Sequence, residues 1–164
     1  MANPDRPNGF RAGSPMNGVS VYQGASDASA MYQGDFVIME ATGEVDVAVA
    51  GSTGLLGVAD SYLAASGDTD IKVIDDVDQV FIGQDDASAT PTQSDIGNNA
   101  DILATAGDAT LKQSRQEIDI STVNTTTQQL RLKQFVESPE YAIGVNSLWK
   151  VVMNEHWLNT TTGI

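Results

Sequence analysis

Two stretches, QQLRLKQFVE at 128–137 and SLWKVVMNEHWL at 147–158, decide how this chain folds. In the first, Leu130, Leu132 and Val136 fall on one face and Arg131, Lys133 and Phe135 on the other, the period of two of a half-buried strand, with Gln134 interrupting the apolar side. In the second, Trp149, Val151 and Met153 alternate with Leu148, Lys150, Val152 and Asn154, the pattern of a strand covered in part on both faces. The connection SPEYAIGVN contains Pro139, which lacks a backbone donor, and Gly144, which tolerates positive φ. A chain reversal there makes the two runs a closing hairpin.

Working outward, short strand signals bounded by turn residues recur at 19–23, 35–41, 45–49, 55–60, 70–75, 79–84 and 117–121. DFVIME is almost continuously apolar, VDVAV alternates through Val45, Val47 and Val49, and Thr42-Gly43 between them suits a tight hairpin. GSTGLLG lacks the lysine of a phosphate loop and reads as a turn into the strand LLGVAD, while DDVDQ reads as a compact reversal into VFIG. So many short strands without a convincing helix predict an all-β fold, a small barrel or sandwich. Residues 1–18, with three Pro, three Gly and three Asn, read as an extended N-terminal arm whose only apolar anchors are Phe10 and Met16. Residues 19–164 then form the β-barrel domain, with 85–115 as a long, small-residue loop excursion in which SDIGNNADIL makes at most a helical turn.

The chain has 164 residues, room for one domain and an arm, and no cysteine, which excludes disulfides, a thiolate zinc site and a cysteine nucleophile. Its 22 acidic and 8 basic residues give a net charge of −14. That balance argues against binding a nucleic acid backbone, which requires clustered Lys and Arg. The segment 31–110 carries fifteen acids against one base, Lys72, whereas 111–164 carries five of each sign. That map reads either as a solvated acidic face that keeps the chain soluble or, more sharply, as polarity, with an acidic side facing solvent and neutral, more aromatic ends facing a partner. No apolar run approaches a membrane span or signal segment, so no membrane partner is expected and synthesis is placed in the cytoplasm.

Catalytic equipment is sparse. The single histidine, His156, has no serine elbow to serve and reads as an edge or interface residue. Asp68 and Asp70, the trio Asp75, Asp76 and Asp78, and Asp85 with Asp86 raise a calcium hypothesis, but none follows the regular loop spacing, and they read as turn-forming aspartates. Asn124 and Asn159 open glycosylation-type triplets that, without an export signal, mark surface loops only. No catalytic, cofactor-binding or metal-binding residue is expected, and the chain is not read as an enzyme.

The phrases MANPDRPNGFRAG, GDFVIMEATGEVDVAVAG, LLGVADSYLAA, VFIGQDD and WKVVMNEH, in that order, give most of the chain a layout that resembles the capsid decoration, or cement, proteins of tailed bacteriophages. The resemblance implies a tulip-like or related β-barrel that binds the outer surface of an assembled head. It also implies a homotrimer over junctions between subunits of the major capsid protein, without cofactors. Arg6, Phe10 and Arg11 would be the arm's contacts with shell or subunit, and Arg131, Lys133, Phe135, Lys150 and Trp157 those of the closing hairpin. The competing class is a carbohydrate- or receptor-binding β module of a virion, which calls for an exposed aromatic platform supplied by Trp149, Trp157 or the tyrosines. A β-fold hydrolase is the third class, disfavoured by the lone histidine.

Overall fold

A computed structural model describes residues 3–25, 29–65 and 69–159. The chain is all-β. Its strands are β1 (Arg11–Ala12), β2 (Ser20–Gln23), β3 (Phe36–Met39), β4 (Val45–Val47), β5 (Leu55–Ala59), β6 (Asp70–Ile74), β7 (Phe81–Gln84), β8 (Asn99–Leu103), β9 (Glu117–Asn124), β10 (Leu130–Phe135) and β11 (Leu148–Met153). Short 3-10 turns occur at Gln93–Asp95 and Trp157–Asn159. The strands form a six-stranded sheet of order β1-β7-β11-β10-β8-β9 and a five-stranded sheet of order β2-β6-β5-β3-β4, with antiparallel neighbours throughout.

Neither sheet closes into a barrel. In the smaller sheet the outermost strands meet through a single parallel bridge, Gly24 to Val45, and in the larger one the end of β7, one strand in from the edge, meets β9 through the bridge of Asp85 to Ile118. The bridges are carried by Asp86 N–H donating to the Ile118 carbonyl at 3.0 Å and Ala25 N–H donating to the Val45 carbonyl at 2.9 Å. The expected compact reversal at 75–80 is corrected: β6 and β7 do not pair, and this connection carries the chain from one sheet to the other. The Thr42-Gly43 hairpin is present, with Gly43 at φ +84 and its N–H bonded to the Glu40 carbonyl.

Two apolar clusters result. The larger joins inward side chains of both sheets, among them Phe36, Leu55, Val58, Phe81, Ile102, Leu132, Trp149 and Val151. The smaller lies on the other side of the five-stranded sheet, around Met31, Val37, Leu56, Ile71 and Val73. Strand β5 therefore feeds Leu55 and Val58 to one cluster and Leu56 and Ala59 to the other, which explains its uninterrupted apolar run.

Two readings of the chain change. The stretch 85–115 is not wholly a loop, because Asn99–Leu103 is a strand between β9 and β10. Polar Asn99 and Asp101 on its outer side, with no β-branched run, hide it from a hydrophobicity pattern. The N-terminal segment is extended, as its composition predicts, yet it is fastened to its own chain. Asn3 Nδ2 donates to the carbonyls of Ala142 and Val145, and Gln84 accepts from Arg6 N–H while donating to the Pro4 carbonyl. Phe10 then turns into the larger cluster, its ring 4.6 Å from that of Phe36.

Candidate binding face

The site builds from the alternation of β7, β10 and β11. Phe81, Trp149, Val151, Leu130 and Leu132 point into the larger cluster, so Ile82, Lys150, Val152 and Arg131 point out. Register then aligns Arg11 opposite Ile82, Ile82 opposite Lys150, and Lys150 opposite Gln134, a row across four strands. Arg131 stands opposite Val152 in the next row, its Nε donating to Asn99 Oδ1 at 3.2 Å. At one end, Arg6 and Arg11 flank a cleft of about 370 Å³ that is also lined by Ile82, Leu148, Glu140 and Tyr141. At the other, Lys150 borders a second depression with Gln134, Ile96 and Glu137.

Between Leu132 and Gln134 the pairing of β10 with β11 slips by one residue, leaving Lys133 as the extra residue of a β-bulge. The bulge reverses the inside-outside parity of everything after it. Phe135, expected on the outer face, is therefore a core residue with 7% exposure, its ring 3.8 Å from that of Trp149. Phe10, expected as an arm contact, is likewise corrected to a core residue with 2% exposure. Trp157 lies half-buried against the smaller cluster, apart from the row. The structure thus gathers Arg6, Arg11, Arg131, Lys133 and Lys150 on or beside one face, and removes Phe10, Phe135 and Trp157 from it.

Among the described residues the cations of this face form no ion pair, and the β8 and β9 end of the same face carries Asp101 and Asp119. The single ion pair among the described residues, Arg115 to Asp108 at 2.8 Å, is elsewhere. Glu137 and Glu140 lie at the rims of the two depressions. Sequence reading missed Ile82, Val152, Leu148 and Tyr141 as constituents, since nothing local tells which residue of Val80, Phe81 and Ile82 faces out.

Acidic groups cluster behind the strap formed by the N-terminal segment. Glu117 is pushed up to about 7, first by burial and then by the charges of Asp5, Asp86 and Asp85. Asp85 is fully buried, and its carboxylate accepts from Ser147 N–H at 2.7 Å, Asn146 N–H at 2.8 Å, Ala87 N–H at 3.1 Å and Trp149 Nε1 at 3.3 Å. Burial raises its pKa while those donors pull the other way. The other aspartates of the calcium hypothesis serve turns and edges: Asp76 accepts from Asp78 N–H, Asp75 from the Tyr22 hydroxyl, and Asp86 from Ser88 and Ile120. Asp70 is exposed, and among the described residues no group of three acids or histidines is placed to hold a metal. Asp68 and the triplet residues 160–161 lie outside the described residues.

His156 is corrected from an edge or interface residue to a fully buried one. Its Nδ1 accepts from Leu158 N–H at 3.1 Å, which assigns the proton to Nε2, 3.3 Å from the Asp75 carbonyl. Burial lowers its pKa. No described helix is long and apolar enough to cross a membrane.

Comparison with family models, with curated proteins and with solved structures finds no match.

Proposed function

We propose that this chain is a structural virion protein, not an enzyme, that binds the outer surface of an assembled phage capsid as a homotrimer and stabilises it by bridging subunits of the major capsid protein. The observation that carries this reading is the exposed face on which Arg6, Arg11, Arg131, Lys133 and Lys150 gather beside Ile82 and Val152 in a chain of net charge −14. A cationic, apolar-studded face on an otherwise acidic molecule orients it, one side to the shell and the rest to solvent. The strap sharpens the proposal. Because Asn3, Gln84 and Phe10 already fix it, Arg6 and Arg11 meet a partner without the entropic cost of ordering a free arm.

Stabilisation then follows from mass action: a ligand that binds the assembled shell and not its dissociated subunits raises the temperature at which the shell fails, and symmetry repeats modest contacts many times. Adding the purified protein to undecorated heads should give bound density at the subunit junctions and a higher disruption temperature. Absence of both would reject the reading. Sedimentation of the free protein at three times the chain mass is the expected result for the trimer.

The carbohydrate- or receptor-binding alternative required an aromatic platform. Trp149 is fully buried, so a platform for that reading falls to half-buried Trp157 or to the Tyr32 and Tyr62 rings, 5.4 Å apart between centroids.

A further inference from the structure

We infer that the outer face of the six-stranded sheet takes an extended, acidic polypeptide segment of the partner, laid across the strands from Arg11 over Lys150 to Arg131. This rests on the shell-binding reading and names the chemistry its partner must present.

Three observations select that occupant. First, the part of the face on β1, β7, β11 and β10 carries Arg11, Lys150 and Arg131 outside any ion pair among the described residues, in a chain with nearly three acids for every base, whereas the acids Asp101 and Asp119 lie at the β8 and β9 end. A second basic surface would be repelled, and carboxylates are the complementary groups. Second, the cations lie along a path that one short extended segment can span, with their long side chains reaching its carboxylates. With strands about 4.8 Å apart and residues about 3.4 Å apart along a strand, the backbone of Arg11 lies about 10 Å from that of Lys150, and Arg131 about 8 Å beyond it. That path fits about six extended residues, with side chains of one face repeating every second residue. Third, Ile82 lies between Arg11 and Lys150, and Val152 lies beside Arg131, so apolar footing alternates with charge. A segment with a carboxylate at every second residue presents all of them on one side, toward these cations and over the apolar footing of Ile82 and Val152. The guanidinium groups of Arg11 and Arg131 suit planar, two-point recognition of carboxylates, and Arg131 is already aimed by its bond to Asn99.

The test uses the intact protein and a short fluorescent peptide of alternating Glu and Val, followed by anisotropy. Saturable binding at low salt is expected, weakening as salt is added and falling about tenfold in Arg131→Glu and in Lys150→Glu. Lys72→Glu, on the other sheet, should leave it unchanged, with circular dichroism confirming that all three variants fold. No saturable binding, equal binding of a Lys-Val peptide, or an equal loss in Lys72→Glu would overturn the inference. Undecorated heads separate it from the reading on which it rests. Peptide binding without head binding rejects the shell and keeps the acidic segment, whereas head binding unchanged in Arg131→Glu and Lys150→Glu keeps the shell and rejects the segment.

Discussion

The ring of Phe10 occupies the space that any side chain at position 83 would need: a Cβ built on Gly83 lands directly on the Phe10 ring carbons. The N-terminal segment and β7 are thus fitted to each other, residue against residue, across most of the first half of the chain. Phe10→Ala should cost about 3–5 kcal/mol, because it empties a core site against Phe36 that only this segment can fill. Gly83→Ala should expel the same ring and destabilise comparably. In urea melts the double variant should be far less destabilised than the sum of the two, since both act through one contact. Additive losses would place the strap outside the core.

Asp85 should behave as a buried hub. Its carboxylate holds the N–H groups of Asn146 and Ser147 and the indole of Trp149, so Asp85→Ala leaves buried donors without an acceptor, each costing about 1–3 kcal/mol. Asp85→Asn keeps one acceptor oxygen and turns an amide NH₂ toward existing donors, so an intermediate loss is expected. Thermal denaturation of the two variants gives the order.

Glu117 should make stability fall as pH rises. Its folded-state pKa, raised to about 7 from 4.5, means that the native chain holds a proton the unfolded chain releases. Its contribution is therefore complete below about 4.5 and lost as pH climbs to about 7. Glu117→Gln should flatten that slope and make the protein more stable than the parent above neutrality, measured by urea melts across this pH range.

His156 should act in the opposite sense. Its depressed folded-state pKa means that the unfolded chain takes up the proton first, so its contribution is present above the ordinary histidine value of about 6.5 and is lost as pH falls below it. Proton NMR of the single imidazole should show no titration near that value in the folded protein. A normal titration curve would show that the ring reaches solvent.

The two pH effects overlap, and the Glu117→Gln background removes the Glu117 part of the opposition, while Asp35, Asp85 and Glu155, also raised by burial, keep theirs. In that variant the remaining loss of stability between about pH 6.5 and 5 should be steeper than in the parent, because the opposing Glu117 contribution is gone.

The sequence by itself determined the strand-rich class, the alternation of β11 and the excess of acid. Period-two burial at Trp149, Val151 and Met153 is a local property, written wherever a strand has one apolar face. The parity of Phe135 was not local: a single extra residue at Lys133, set by pairing with β11, turned it inward. Strand β8 was equally hidden, because β10 and β9 on either side, rather than its own residues, make Asn99–Leu103 a strand. Phe10 looked free in an arm of Pro, Gly and Asn, and only the gap above Gly83 made it core. Counting charges located the acid in the middle of the chain, but strand order brought Arg11, Lys150 and Arg131 onto one face from opposite ends of the sequence. Periodicity and composition are carried by neighbours in sequence, whereas a surface is assembled by neighbours in space, and the pairing of distant strands decides it.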